Sequence, residues 1–200
     1  MNRQKSIFWL SLGLFLGTTA FQAAAQVTYT AEDSALPLRV GAGFSSYYTE
    51  IYPQRLIGPS VWVDWTFRRT PIHLQGLGVE AEARGLLWGQ PAGSTWSFFT
   101  AGGGPIYHWS RKHRIQPYGK FLVNYGAQSN IKITGFPAWY KSDKWTTFAP
   151  GAGVDLRLEK HLWLRGDWEY QFWKVMWFND HYLNPTGVTV GVSYDFGARK

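Results

Sequence analysis

The first candidates for chemistry are two acidic side chains that lie two residues apart, Glu80 and Glu82. Paired carboxylates can act as general acid and general base, one donating a proton while the other accepts one. In a β-strand, residues i and i+2 point to the same face, so the two carboxylates would lie side by side. We expect Lys120 or Arg84 to pair with them, which favours a salt-bridged structural role over catalysis.

A second candidate is a loop-borne hydrolase or acyltransferase. Asp180 and His181 are adjacent, and Ser129 and Ser142 lie in another predicted loop. These residue types can form a nucleophilic triad, but adjacency in sequence does not supply the geometry. The other histidines show no metal-ligand spacing, so the sequence predicts no metal site and no cofactor. They are His73, His108, His113 and His161.

Alternation of apolar and polar side chains identifies the elements that must hold these residues. Residues 162–172 and 188–196 alternate almost without exception. A period of two is that of a β-strand with one apolar and one polar face. Six further segments show the same period less regularly. They are residues 39–45, 61–68, 77–84, 96–109, 115–125 and 148–158, where three consecutive glycines blur the fourth and Leu122 is an exception in the fifth.

The predicted connections between these eight strands alternate in length. The longer ones are residues 47–55, 87–95, 126–145 and 174–185, whereas residues 110–114 and 159–161 form tight turns and residues 69–75 are intermediate. Long loops at one end and short turns at the other are typical of outer-membrane barrels. The sequence therefore predicts one all-β domain over residues 26–200, a single eight-stranded antiparallel up-and-down transmembrane β-barrel.

The first 25 residues have the pattern of an export signal. Arg3 and Lys5 precede an apolar run over residues 7–16, and Ala23 to Ala25 offer a small-residue cleavage site. We expect residues 1–25 to be a cleaved signal peptide. The formal net charge is +7 and the chain has no cysteine. Because the cations are scattered and the chain is exported, we exclude nucleic acid as a partner.

A soluble eight-stranded barrel is the alternative that alternation alone cannot exclude. Charged residues make up 16% of the chain, against roughly 25% in soluble domains. The polar face is rich in glycine, which suits a narrow interior. Aromatic residues also cluster where strands meet loops, as in the aromatic girdles of membrane barrels. They are Tyr47, Tyr48, Trp88, Trp96, Tyr107, Trp109, Trp145, Trp173 and Trp177.

On this pattern the mature chain resembles the OmpA/OmpX-type family of small outer-membrane β-barrels over residues 36–197. Its last strand, with Gly191, Tyr194 and Phe196, is similar to the C-terminal signal of such barrels, although residues 197–200 follow the aromatic that would end the chain. The resemblance implies a location in the bacterial outer membrane and the outer-membrane barrel assembly machinery as a partner. The His-x-Ser-Asn motif that the lipid A deacylases would require is missing, because Arg111 follows Ser110.

If the polar face points inward, the charged residues meet inside the barrel. Eight strands enclose only enough room for side chains, so we expect a salt-bridge network that plugs the lumen. A gated ion path along the same charges is the alternative. The predicted lumen network comprises Arg39, Asp64, Glu80, Glu82, Arg84, Lys120, Asp155, Arg157, Arg165, Asp167, Glu169 and Asp195.

The third loop is the candidate for ligand contact. Lys132, Lys141 and Lys144 lie among aromatic residues that include Trp139 and Tyr140. Such a set could bind anionic lipopolysaccharide headgroups, or it could pack within a sheet that protrudes from the membrane. We expect a monomer with a structural or surface-interaction role in contact with outer-membrane lipids and lipopolysaccharide. A lipid A-modifying enzyme and a narrow pore are the alternatives.

Overall fold

The computed structural model describes residues 37–49, 52–67, 76–89, 95–109, 113–129, 142–174 and 182–197. The predicted signal peptide lies outside these residues. Four of the candidate loop residues also lie outside them: Lys132, Trp139, Tyr140 and Lys141. Among the described residues, no helix is long and apolar enough to cross a membrane.

The described residues form ten β-strands, eight of which close into a barrel in the order β1-β10-β7-β6-β5-β4-β3-β2. Every neighbouring pair in the barrel is antiparallel. The other two strands pair with each other as a small two-stranded sheet. The strands are β1 Leu38–Thr49, β2 Tyr52–Thr66, β3 Leu77–Gly89, β4 Thr95–His108, β5 Ile115–Ser129, β6 Ser142–Arg157, β7 Leu162–Tyr170, β8 Trp173–Lys174, β9 Tyr182–Leu183 and β10 Thr186–Asp195. The predicted fold class is confirmed.

The two faces of the barrel wall have opposite chemistry. Side chains that point outward are apolar and exposed, including Phe44 at 74%, Ile57 at 60% and Val190 at 58% of their surface. Inward side chains are buried, and most of them are polar or charged. This is the reverse of a soluble protein and matches a barrel whose apolar band faces lipid.

The ends of the barrel differ in their connections. We call the end where β1 begins and β10 ends the proximal end; residues 67–76, 109–114 and 158–161 connect strands there. At the opposite, distal end, the connections are residues 50–51, 90–94, 130–141 and 171–185, the last of which contains β8 and β9. The predicted loops at residues 47–55, 87–95 and 126–145 are therefore wrong in extent. Strands continue through seven residues of the first, four of the second and eight of the third, which include Ser129 and Ser142.

The sequence predicts strands that are too short at the distal end, because apolar and polar side chains no longer alternate there. Leu56, Leu86 and Phe98 point inward and are buried, whereas the adjacent Ile57 and Leu87 point outward and are exposed. With apolar residues on both faces, the sequence has no period of two in polarity although the backbone is extended.

Two residues of the predicted aromatic girdle lie inside the barrel instead. Tyr47 is 0% exposed and Trp173 is 1% exposed. Tyr48 and Trp109 point outward, as expected of girdle residues. Trp177 lies outside the described residues, and only the backbone is described at Trp88 and Trp96.

The glycines at 102–104, which blur the sequence pattern, lie within an unbroken β4. A Cβ atom added at Gly104 would collide with the backbone oxygen of Phe121 on β5, and one at Gly102 with that of Val123. Glycine is needed at these two positions because the backbones of β4 and β5 approach closely.

Candidate functional site

Arg165 lies at the centre of the lumen and holds carboxylates from three other strands. Its Nε donates to Asp155 Oδ1 at 2.8 Å, its Nη1 to Glu80 Oε2 at 2.6 Å and its Nη2 to Asp64 Oδ2 at 2.6 Å. Strand register explains part of this arrangement, since Asp64 pairs with Glu80 and Asp155 pairs with Arg165 across the sheet. The flat fork of a guanidinium suits such multiple contacts.

Lys120 forms the second cationic centre of the lumen. Its Nζ lies 2.8 Å from Glu80 Oε1, 2.9 Å from Glu82 Oε2, 2.6 Å from Asp167 Oδ2 and 3.4 Å from Glu169 Oε2. The ammonium is almost completely buried. Glu80 therefore bridges Lys120 and Arg165, and the two centres form one network.

Arg84 extends the network toward the distal end. It pairs with Glu82, and its Nη1 donates to Glu169 Oε1 at 2.9 Å. Its Nε donates to Ser45 Oγ at 3.1 Å, and that hydroxyl in turn bonds with Thr189 at 2.8 Å. Arg84 and Lys120 together surround the predicted acid/base pair, Glu80 and Glu82, with positive charge. This arrangement supports the structural interpretation of the two carboxylates.

Arg39 closes the network at the proximal end. Its Nη1 lies 2.5 Å from Asp155 Oδ2, and its Nη2 lies 3.5 Å from Asp195 Oδ2. The same Nη2 donates to Gln116 Oε1 at 3.4 Å. His108 Nε2 is 3.3 Å from Asp155 Oδ2 and completes this group.

Each of the three buried arginines stacks on aromatic rings. Arg165 lies 4.9 Å from the ring centre of Trp62 and 4.7 Å from that of Tyr118. Arg39 lies 4.3 Å from the ring of Trp163, and Arg84 lies 4.5 Å from that of Tyr47. A cation over an aromatic face is attracted by the ring quadrupole, and more strongly when both are desolvated.

Lumen glycines make room for these rings. A Cβ atom added at Gly41 would collide with the Trp62 ring, one at Gly153 with Tyr118 and one at Gly187 with Tyr47. Across the interior, each of these glycines therefore lies against an aromatic ring, the ring lies against a guanidinium group, and the guanidinium pairs with carboxylates. The predicted need for glycine in a crowded lumen has this geometric cause.

An apolar layer fills the lumen distal to the charges. The indole of Trp173 packs edge-on against Phe98, with ring centres 5.3 Å apart. Its Nε1 donates to Gln171 Oε1 at 2.8 Å, and Gln171 Nε2 donates to Glu169 Oε1 at 2.6 Å. A chain of hydrogen bonds therefore joins the apolar layer to the charged network. Leu56 and Leu86, which also point inward near the distal end, are buried as well.

The structure brings most of the predicted lumen residues together and leaves one apart. Arg157 is exposed at the proximal end of β6, with its guanidinium 5.8 Å from the Trp163 ring. Asp195 is only partly buried at the mouth. The other ten are buried, and every one forms an ion pair within this group. They are Arg39, Asp64, Glu80, Glu82, Arg84, Lys120, Asp155, Arg165, Asp167 and Glu169.

Two groups of buried side chains have the composition of metal sites, Asp64 with His108 and Asp155, and Glu82 with Asp167 and Glu169. Lys120 already contacts all three acids of the second group. Arg165 pairs with both acids of the first. Guanidinium and ammonium groups thus occupy the positions from which a metal ion would neutralise these carboxylates.

The remaining predicted sites lie elsewhere. Tyr194 of the proposed assembly signal is exposed and contacts Phe196, with ring centres 4.8 Å apart, while Gly191 lies within β10. Lys144 is exposed near the distal end of β6. Ser129 bonds with Ser97 at 2.7 Å. Asp180 and His181 lie outside the described residues.

Sequence reasoning missed the aromatic and amide members of the lumen. Tyr118 and Trp62 occupy the same alternate positions along their strands as the charged residues. The alternation of inward and outward side chains alone could therefore have placed them inside. Gln171 follows Glu169 at the same spacing. The packing of Trp173 against Phe98 depends on a connection folding into the barrel, which no local pattern indicates.

Comparison with known proteins agrees with this architecture. Residues 13–196 match the family described as outer membrane protein beta-barrel domain. No curated protein matches the sequence.

Several solved structures share the fold. Neisserial surface protein A has 13% identity, with 79% of this chain and 95% of that chain covered at a TM-score of 0.55. Ail of Yersinia pestis, solved with the heparin analogue sucrose octasulfate, has 15% identity, coverages of 78% and 95% and a TM-score of 0.50. The outer membrane enzyme PagL has 10% identity, coverages of 78% and 98% and a TM-score of 0.50. At these identities the likeness shows the fold alone. The family match spans most of the chain, and the protein belongs to the outer membrane protein beta-barrel domain family, as a β-barrel of the bacterial outer membrane.

Proposed function

We propose that this protein is a closed outer-membrane barrel with a structural or surface-interaction role, exercised through its distal loops. The observation that carries the proposal is the filled lumen. Arg165 and Lys120 span the interior with ion pairs to several strands. The Trp173 layer lies between these charges and the distal opening.

Ion passage would require this network to break. Lys120 would have to leave Glu80, Glu82 and Asp167, all of which are buried. Removing one partner from a buried ion pair costs about 3–5 kcal/mol, and here one cation neutralises several acids. A fixed network therefore favours a scaffold over a pore.

The distal end supplies the surface for interaction. Lys144 is exposed there, and the connection that precedes β6 contains Lys132 and Lys141 among aromatic residues. Lysines near headgroup depth attract phosphates, and aromatic residues favour the same interface. The proposed ligand is the anionic headgroup of lipopolysaccharide. The sulfated sugar bound to Ail is an anionic ligand of similar chemistry, bound to a barrel of this fold.

The same proposal includes the route to the membrane. Residues 1–25 would direct export and be cleaved, and the last strand with Gly191, Tyr194 and Phe196 would be recognised by the barrel assembly machinery. The exposed, ring-stacked side chain of Tyr194 supports this assignment, because such a signal must be accessible. We propose a monomer in the membrane.

Binding of lipid A vesicles by the protein in neutral nanodiscs tests the surface role. Replacing Lys132, Lys141 and Lys144 together by Gln should weaken binding at low salt, because the attraction is electrostatic. Replacing the same three residues by Arg retains the charge and should preserve binding. Heat-modifiability of both variants should equal that of the native protein. Equal binding by the Gln variant and the native protein would reject the ligand proposal.

A further inference from the structure

The proximal rim carries exposed positive charge beside exposed apolar side chains. Arg114 and Arg157 are exposed where β5 begins and β6 ends. Next to them in sequence are Ile115, which is 57% exposed, and Leu158, which is 42% exposed. Because these apolar side chains belong to the outward band, Arg114 and Arg157 lie along the chain where that band ends, and the guanidinium of Arg157 is 5.8 Å from the Trp163 ring at the mouth of the lumen.

The backbone holds these two arginines side by side. Arg157 N donates to Arg114 O at 2.8 Å, and Arg114 Nε donates to Arg157 O at 3.0 Å. Like charges on neighbouring strands disfavour each other. Within the described residues, no carboxylate oxygen lies within 4.0 Å of the cationic groups of Arg114, Arg157 or Lys160. Among the residues that the structure describes, none therefore supplies an anion that would offset this repulsion.

One acid close to the rim points into the lumen instead. Asp155, two residues before Arg157, points inward and pairs with Arg165 and Arg39. Glu159 is an exposed acid at this rim, in the same turn as Lys160.

From this arrangement, we propose that the proximal rim binds anionic phospholipid headgroups of the phosphatidylglycerol class, in the leaflet that surrounds the proximal end. The position of the two arginines at the edge of the lipid-facing band favours a lipid ligand over a protein partner or a soluble polymer. Arg114 and Arg157 are exposed and adjoin residues of the lipid-facing band, so a headgroup at the edge of the leaflet would come within reach of their long side chains. Basic residues beside a membrane-spanning element attract anionic lipid in this way. The surface is at the opposite end from the proposed lipopolysaccharide contact and does not depend on it.

A site-specific quenching experiment tests the proposal. The chain has no cysteine, so His113→Cys gives a single labelling site at the exposed proximal rim. The labelled protein is refolded into phosphatidylcholine vesicles that contain either nitroxide-labelled phosphatidylglycerol or nitroxide-labelled phosphatidylcholine. At low salt, phosphatidylglycerol should quench the fluorophore at least about two-fold more strongly. The same label on Val190→Cys, which faces lipid in the middle of β10 and pairs with Phe44 and Gly166, should show a ratio near one.

Charge variants decide whether the rim causes the preference. With Arg114→Gln, Arg157→Gln and Lys160→Gln in the labelled protein, the ratio should fall to about one, whereas Arg114→Lys with Arg157→Lys should keep it. If the triple variant does not refold, raising the salt to 1 M, which shortens the screening length to about 3 Å, should abolish the preference in the native rim. A ratio near one in the unaltered rim at low salt overturns the proposal. A quenching ratio that stays above one after loss of the three charges, or at high salt, also overturns the proposal. Binding of a soluble polyanion without any preference between the two lipids overturns it as well.

Discussion

The charged layer and the distal apolar layer of the lumen fill the same narrow barrel by different means. In the charged layer, Lys120 and Arg165 are each paired with several carboxylates, and Arg165 also stacks on the rings of Trp62 and Tyr118. In the apolar layer, Phe98, Leu86 and Trp173 pack by shape. The first depends on electrostatic balance, so losing one charge disturbs every partner. The second depends on volume, so a loss is confined to the side chain removed.

The largest effect is expected from Lys120→Met, which removes the shared cation from four carboxylates and leaves their negative charges buried. The free energy of unfolding in uncharged lipid, measured by urea titration, should fall by about 3–5 kcal/mol or more. Lys160→Met serves as the matched control, because Lys160 is exposed in a turn. Its effect should stay below about 1 kcal/mol. Equal losses for the two variants would contradict the charged network.

A smaller effect is expected from Leu86→Ala in the apolar layer. The buried leucine leaves a cavity, and the free energy of unfolding should fall by about 2–3 kcal/mol, within the range for such truncations. Leu87→Ala is the control, since Leu87 is the outward neighbour on the same strand and faces lipid. The same titration checks both variants. A larger loss at Leu87 than at Leu86 would show that the layer is not packed.

The smallest effect concerns the link between the layers. Gln171→Leu removes the acceptor for Trp173 Nε1 and a donor to Glu169. One unsatisfied buried indole N–H should cost about 1–3 kcal/mol, and the fluorescence of Trp173 should change because the hydrogen bond is lost. Gln171→Glu keeps an acceptor for the indole but adds a third carboxylate near Arg84, which already pairs with Glu82 and Glu169, so it separates the effect of the hydrogen bond from that of the charge. Stability identical to the native protein in both variants would mean that the layers are independent.

The two layers also differ in how far sequence predicts them. Asp64, Arg84 and Arg165 follow the period of two, and strand parity is enough to place them inside. The same alternation wrongly predicts that Arg157 lies in the lumen, because its strand ends there and the barrel no longer encloses its side chain. In the apolar layer both faces of the strands carry apolar residues, so the sequence could not show whether Leu56 and Phe98 point inward or outward.

Tyr47 and Trp173 illustrate a further limit of sequence reasoning. Girdle aromatics and plug aromatics have the same residue types and the same position near strand ends. What separates them is the stacking of Arg84 on Tyr47 and the packing of Phe98 on Trp173, contacts between residues distant in sequence. Only the closed barrel brings these pairs together.

Conductance in planar bilayers tests most directly whether the charged layer closes the lumen. The unaltered protein should show no steady current. Trp173→Ala, which opens only the apolar layer, should stay closed. Arg84→Ala removes one of the two cations that hold Glu82 and Glu169 and leaves both acids to Lys120 alone, so it should produce openings. A steady open channel in the unaltered protein would contradict the account, because the network of Lys120 and Arg165 could not then span the lumen.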